Sequence, residues 1–223
     1  MKPLIIAIDG PSGAGKGTVA RGVAAQLGYR HVDTGAMYRA VAWKARHEGV
    51  DIQDEAAVAA VGERATFDLE GGRVVVDGHD VARAIRTPDM DAAAAAVARH
   101  PAVRATLVRR QREMGRGGGI VMEGRDIGTV VFPDADVKIY LTASPEERAR
   151  RRASDPAHAA SQQAVLAEIA TALAERDRSD STRAASPLAQ ATDALAIDTT
   201  TMPIERVIAE ILEVVETHRN AIR

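Results

Sequence analysis

Residues 4–18 read Leu-Ile-Ile-Ala-Ile-Asp-Gly-Pro-Ser-Gly-Ala-Gly-Lys-Gly-Thr, and no other stretch constrains this chain as strongly. A β-branched apolar run ends in a glycine-rich turn that holds one lysine, and a helix-forming segment follows. Glycines 10, 13, 15 and 17 lack Cβ atoms, so successive backbone N–H groups can turn toward a single anion. A helix opening near Lys16 adds its positive end at the same place. Lys16 can then reach the outer phosphates of a nucleoside triphosphate. The expected phosphate cradle is Gly10, Ser12, Gly13, Ala14, Gly15, Lys16, Gly17 and Thr18. The usual pattern puts a hydroxyl directly after the lysine as a magnesium ligand; here Gly17 stands there and Thr18 follows.

Composition narrows the partners. With 223 residues and net charge −2, the chain has room for one large α/β domain and no global field for nucleic acid or anionic membrane. Aromatic residues are 3%, too few to stack single-stranded bases. There is no cysteine, hence no disulfide or thiolate zinc site. The N-terminal apolar stretch is short and runs straight into the glycine loop, so a cytoplasmic location without membrane contact is expected; no long exposed apolar stripe is visible, so a monomer is expected. Arginine outnumbers lysine 25 to four. A lysine in the loop of so arginine-rich a chain fits a need for a point charge there.

Strands are expected at 4–8, 29–32, 120–122, 137–141 and 194–197. Helices are expected at 16–27, 36–47, 102–114, 145–152, 161–177 and 204–217. That alternation implies a five-stranded parallel sheet with helices on both faces. Between 49 and 101 the pattern changes. Segments 66–70 and 73–77 flank Gly71-Gly72 as a tight antiparallel hairpin, and the alanine run 92–96 reads as helix.

Polar clusters fall at strand ends or on one helical face. Asp33-Thr34-Gly35 with Arg39 follows the second strand, Arg125-Asp126 the third, and Arg104 lies on 102–114. Arg176, Asp180 and Arg183 share a side if helical. In open parallel sheets ligands bind beyond the carboxyl ends of strands. Several guanidinium groups with Lys16 and a metal are what phosphoryl transfer requires, because positioning and charge neutralisation dominate that step. Asp9, Asp33 and Glu123 are candidates to hold magnesium through water, Asp33 first. The six histidines show no metal-ligand spacing.

Four motifs, Gly10–Thr18, Asp33–Arg39, Glu123–Thr129 and Arg176-Asp177-x-x-Asp180-x-x-Arg183, resemble those of bacterial cytidylate kinases, in order and over nearly the whole chain. The Gly-Lys-Gly-Thr ending is the form found in nucleoside monophosphate kinases. The resemblance implies a P-loop kinase fold in one domain (1–223), a small antiparallel β insertion that binds the monophosphate (35–100) and a helical lid (145–183). It implies transfer from ATP to CMP or dCMP with Mg²⁺. Lys16, Arg125 and Arg183 would be catalytic; Thr34, Arg39, Arg104, Arg125, Asp126, Arg176, Asp180 and Arg183 would bind CMP. Arg104 and Asp126 would read the base: a carboxylate accepts from cytosine N4 and a guanidinium donates to N3 or O2. Uracil reverses that pattern, so CMP is expected well above UMP.

Two features depart from the family. Ala95 stands where a serine near the base is usual, and 155–163 is poor in charge, leaving the Arg148–Arg152 cluster for ATP. Rival readings are another small-molecule kinase of the same fold, such as a shikimate kinase, and a non-catalytic nucleotide-binding module. A GTPase lacks its Asn-Lys-x-Asp here, and a serine hydrolase elbow would need Gly at Ala14 and leaves Lys16 without a role.

Overall fold

The structure is a computed structural model that describes residues 3–69, 72–155 and 166–221. Its centre is a parallel sheet of β1 (Ile5–Asp9), β2 (Arg30–Asp33), β6 (Ile120–Gly124), β7 (Val137–Thr142) and β8 (Leu195–Asp198), in the order β2-β6-β1-β7-β8. Every pairing in it is parallel. The apolar inner strands face helices on both sides. Ile6 and Ile8 of β1 and Val121 of β6 pack with α1 (Lys16–Leu27) and α8 (Ile204–Ala221). Ala7, Ile120 and Met122 turn to the other face, where α2 (Thr34–His47), α3 (Glu55–Arg64), α4 (Pro88–Val97) and α5 (Pro101–Gly115) lie. This period-two division is what a strand covered on both faces requires.

The register aligns the polar strand ends. Asp9 is opposite Gly124, and Asp33 opposite Glu123. The carboxyl ends of β1, β2 and β6 therefore open at one level, and the chain leaves β1 and β2 through turns of the expected kind. Asp33 caps α2 by accepting from the Ala36 amide at 2.9 Å. After β6 the chain makes a single π-turn at Ile127–Val131, a wide turn that sequence periodicity gave no sign of.

Between α2 and α5 lies a three-stranded antiparallel sheet, β3 (Phe67–Asp68), β4 (Val75–Val76) and β5 (His79–Asp80). Phe67 pairs with Val76 and Asp68 with Val75, the register that the sequence predicts for that hairpin; Glu70 and Gly71 lie outside the described residues. The strand β5 was not anticipated. Its signal is Asp77-Gly78, both at positive φ (47° and 80°), a two-residue hairpin turn of the primed type.

Two further helices, α6 (Pro145–Ala153) and α7 (Leu166–Thr182), stand over the glycine loop. The helix expected to end at 177 continues to Thr182; the first residues of that expectation, 161–165, lie outside the described residues, as does most of the charge-poor stretch 155–163. Because α7 runs on, Arg176 and Asp180 share its face, and Arg183 follows directly after its last residue.

Candidate active site

The glycine loop joins β1 to α1. Gly13 and Gly15 sit at φ 80° and 88°, the left-handed region that allows successive amides to converge. Gly10, at φ 145°, has a different duty. A Cβ there would stand 2.1 Å from the Leu141 carbonyl, so this glycine permits the close approach of β1's end to β7. Gly10 is absent from the cavity wall, whereas Ser12, Gly13, Ala14, Gly15, Lys16, Gly17 and Thr18 line it. That cavity, about 700 Å³, also takes in Asp33, Thr34, Arg39, Arg104, Arg125, Asp126, Arg176, Asp180 and Arg183. The phosphate- and CMP-binding residues expected from sequence, other than Gly10, thus meet around one space with Asp33 and Glu123, whereas Asp9 and Arg148 are not part of its wall.

Lys16 is 6% exposed and its Nζ donates to the Pro11 carbonyl at 2.7 Å. Burial, then the nearby Arg125 charge, pushes its ammonium pKa down to about 7. A lysine so desolvated is held for an anion rather than for water. Gly17 is explained by its neighbour: a Cβ there would lie 3.1 Å from Glu123 Oε1, and Glu123 is fixed at 2.9 Å from His31 Nε2.

Beyond the loop, opposite charges alternate. Arg104 pairs with Asp126, both side chains under a tenth exposed. Asp126 lies 3.5 Å from Arg183, Arg183 3.4 Å from Asp180, and Asp180 accepts from Arg125 Nε at 2.9 Å. The Tyr38 ring lies under the Arg104 guanidinium, 5.5 Å from centroid to Cζ. Arg39 pairs with Asp33 at 3.0 Å. The Thr34 hydroxyl donates to the Glu123 carbonyl at 2.7 Å, which leaves its oxygen only accepting capacity toward the cavity. Arg39 Nε, Arg176 Nε and Arg183 Nη2 are buried with no hydrogen-bond partner among the described residues. Burial depresses the pKa of both Arg176 and Arg183. Buried guanidinium donors of this kind call for an anion with several acceptor oxygens.

The helix α6 supplies the loop's outer wall. Arg148 and Arg152 share a face, as their spacing predicts, and both reach Ser12, at its carbonyl (3.1 Å) and its hydroxyl (3.1 Å). Arg151, not singled out by sequence, donates to the Thr199 hydroxyl and carbonyl at 2.9 and 2.6 Å. Asp177, inside the Arg176–Arg183 motif, has no role that the sequence assigns. It accepts from the Ser12 amide at 3.0 Å and pairs with Arg148, tying α7 to the loop.

A magnesium ion finds a sparse protein donor set. Among the described residues no group of three or more His, Asp or Glu could hold a metal. Asp9 gives both oxygens to backbone amides, Glu123 is bound to His31, and Asp33 to Ala36 and Arg39. Such a donor set would leave most of an ion's ligands to phosphate oxygens and waters.

A glycine loop between the first strand and first helix of a β2-β6-β1-β7-β8 parallel sheet, faced by converging arginines, defines a P-loop phosphotransferase. Solved structures share this fold: a gluconokinase from Sinorhizobium meliloti 1021 (TM-score 0.50, 14% identity, 99% of this chain and 96% of that one) and a shikimate kinase from Bacteroides thetaiotaomicron (TM-score 0.51, 12% identity, 96% and 98%). The chain belongs to the cytidylate kinase family, whose pattern matches residues 6–217. It is 53% identical to a cytidylate kinase of Pelotomaculum thermopropionicum, covering 96% of each chain, and 46% identical to one of Solibacter usitatus, covering 97% of this chain and 94% of that one. A bifunctional pantoate ligase/cytidylate kinase of Prochlorococcus marinus is 49% identical over 94% of this chain and 44% of its own length.

Proposed function

We propose that the protein transfers the γ-phosphoryl group of ATP to CMP or dCMP, giving ADP and CDP or dCDP. The observation that carries this reading is the buried Arg104–Asp126 pair in the same cavity as the Lys16 loop. A phosphate site alone suits many acceptors. An adjoining carboxylate–guanidinium pair matches the N4 donor and the N3 and O2 acceptors of cytosine.

The loop from Ser12 to Thr18 cradles the ATP phosphates, with Lys16 on the outer ones. An oxygen of the acceptor phosphate attacks the γ-phosphorus, the bond to the β–γ bridging oxygen breaks, and ADP leaves. Arg125 and Arg183 neutralise the group in flight, while Arg39, Arg176 and Asp180 hold the phosphate and ribose side of the acceptor. Magnesium, when bound, would draw charge from the phosphate oxygens; Asp33 would hold it through water, with the Thr18 hydroxyl as a further donor. Residues 35–100 act as the monophosphate-binding insertion and 145–183 as the lid.

A coupled ADP-release assay over CMP, dCMP, UMP, dTMP, AMP, GMP and shikimate tests the reading. CMP and dCMP are expected to lead by at least about 100-fold in kcat/KM over UMP. Faster turnover of AMP or shikimate overturns it, and nucleotide binding without any ADP release favours a non-catalytic module.

A further inference from the structure

The helix α4 brings one carboxylate into the cavity, Asp91, and the reaction as laid out above gives it no part. Its Oδ1 lies 3.2 Å from Arg176 Nη1 and 3.8 Å from Arg39 Nη1, and its Oδ2 lies 3.5 Å from Arg152 Nη1. The three guanidinium groups come from three elements: Arg39 from α2, Arg152 from α6 and Arg176 from α7. One side chain of the proposed insertion therefore touches both helices of the proposed lid.

A plainer role for Asp91 is to complement the positive end of α4, where an acid in the first turn is favourable. That role is already filled. Asp89, in the same turn, is exposed and among the described residues pairs with Arg46 on the surface. A helix-end acid has no need of three arginines. Like charges drawn together also need a shared anion, and Asp91 counters the burial and the Arg125 charge that weigh on Arg176.

The geometry of the donors gives the sense of the effect. Asp91 takes an Nη1 from each arginine. Asp33 takes Nη2 of Arg39 on its other side. Nε of both Arg39 and Arg176 stays without a partner among the described residues. The carboxylate thus occupies one edge of each guanidinium and leaves another edge to a second anion. A planar fork held this way loses less freedom when a phosphate arrives.

We propose that Asp91 is a positioning residue for the acceptor phosphate: it gathers Arg39, Arg152 and Arg176 from the core and the lid into one cluster and sets the two outer members edge-on to the incoming nucleotide. This rests on CMP being the acceptor.

The test is Asp91→Asn, with Asp89→Asn as the control for a helix-end charge. Asp91→Asn is expected to raise KM for CMP roughly tenfold, the scale of one charge-assisted contact. The KM for ATP and the binding of cytidine, which has no phosphate, should stay within about twofold, and Asp89→Asn should match the wild type throughout. Asp91→Glu should restore part of the loss. If Asp91→Asn folds poorly, Asp91→Ser is read in the same way. An unchanged KM for CMP, or an equal change for CMP and cytidine, overturns the proposal. Tighter CMP binding by Asp91→Asn also overturns it, since the carboxylate would then be competing with the phosphate. Wild-type protein that releases no ADP with CMP overturns the acceptor assignment as well, an outcome read before any variant is made.

Discussion

Asp9, the last residue of β1, accepts a hydrogen bond from the Gly128 amide at 2.7 Å, across 119 residues of chain, and its other oxygen takes the Ile127 amide at 2.8 Å. The strand that launches the glycine loop therefore also fixes the turn that follows Arg125 and Asp126. Burial raises the Asp9 pKa from 3.8 to about 6, against the pull of the two amides. The sign follows. A carboxyl harder to ionise in the fold than in the unfolded chain favours the fold below the unfolded pKa, and that advantage is lost as pH rises through about 6. Relative to Asp9→Asn, which cannot titrate, wild-type stability should fall by on the order of 3 kcal/mol between pH 4 and 7. Urea midpoints measured across that range check it; parallel curves for the two proteins would refute it.

Lys16 makes the opposite case. With its pKa lowered to about 7, the group favours the fold above its unfolded pKa of 10.5 and loses that contribution as pH falls toward 7. Lys16→Met removes the buried ammonium, and at pH 7 the variant should be about 1–3 kcal/mol more stable than wild type. The gap should close as pH approaches 10. The same change should lower kcat by at least about 100-fold, because the outer phosphates lose their point charge. A variant that is both less stable at pH 7 and still active would show that the lysine is held for the fold.

Much of this could be read from the chain, and the omissions have physical causes. The inner strands show as apolar runs because both faces of the sheet are covered there, as with Ile5–Ile8, whereas the edge strands β2 and β8 each bury a single residue. The loop shows because its glycines are needed for backbone geometry. Asp77-Gly78 is a hairpin-turn dipeptide, but the strand after it is only two residues long and has no periodic signature of its own. The π-turn at Ile127–Val131 has no periodic signature. Asp91 is hidden for another reason: in sequence it is one acid at the start of an alanine-rich helix, and only the fold, which packs α4 on α2 and brings side chains of α6 and α7 to it, sets three arginines around it. Asp177 was visible inside a motif, but its partners, Ser12 and Arg148, are 165 and 29 residues away.

The Gly17 position, odd by motif, predicts a coupling. Gly17→Ala puts a Cβ against Glu123 Oε1, which His31 keeps from yielding. The substitution should cost about 1–2 kcal/mol in wild type. In a Glu123→Ala background the clash is gone, and alanine inside α1 should stabilise by up to about 1 kcal/mol. A double-mutant cycle by urea unfolding reads the coupling directly. Equal effects of Gly17→Ala in both backgrounds would mean that the glycine is kept for the loop's own backbone.

The base-reading pair carries the sharpest prediction. Asp126 stands between Arg104 and Arg183, with Tyr38 closing the stack. Asp126→Asn leaves the shape and removes the charge that both arginines share. Two buried guanidinium groups then lose their counter-ion, so stability should drop by about 3 kcal/mol. Toward substrate, the amide loses the strong acceptor for cytosine N4 but can turn its NH₂ to the uracil O4. The kcat/KM for CMP should therefore fall by about 100-fold or more while that for UMP holds or rises, narrowing the preference between them. Parallel kinetics with CMP and UMP, measured at a temperature where the variant stays folded, separate the two effects. If both substrates fall equally, Asp126 serves only to hold Arg104 and Arg183 in place, and the base is read elsewhere.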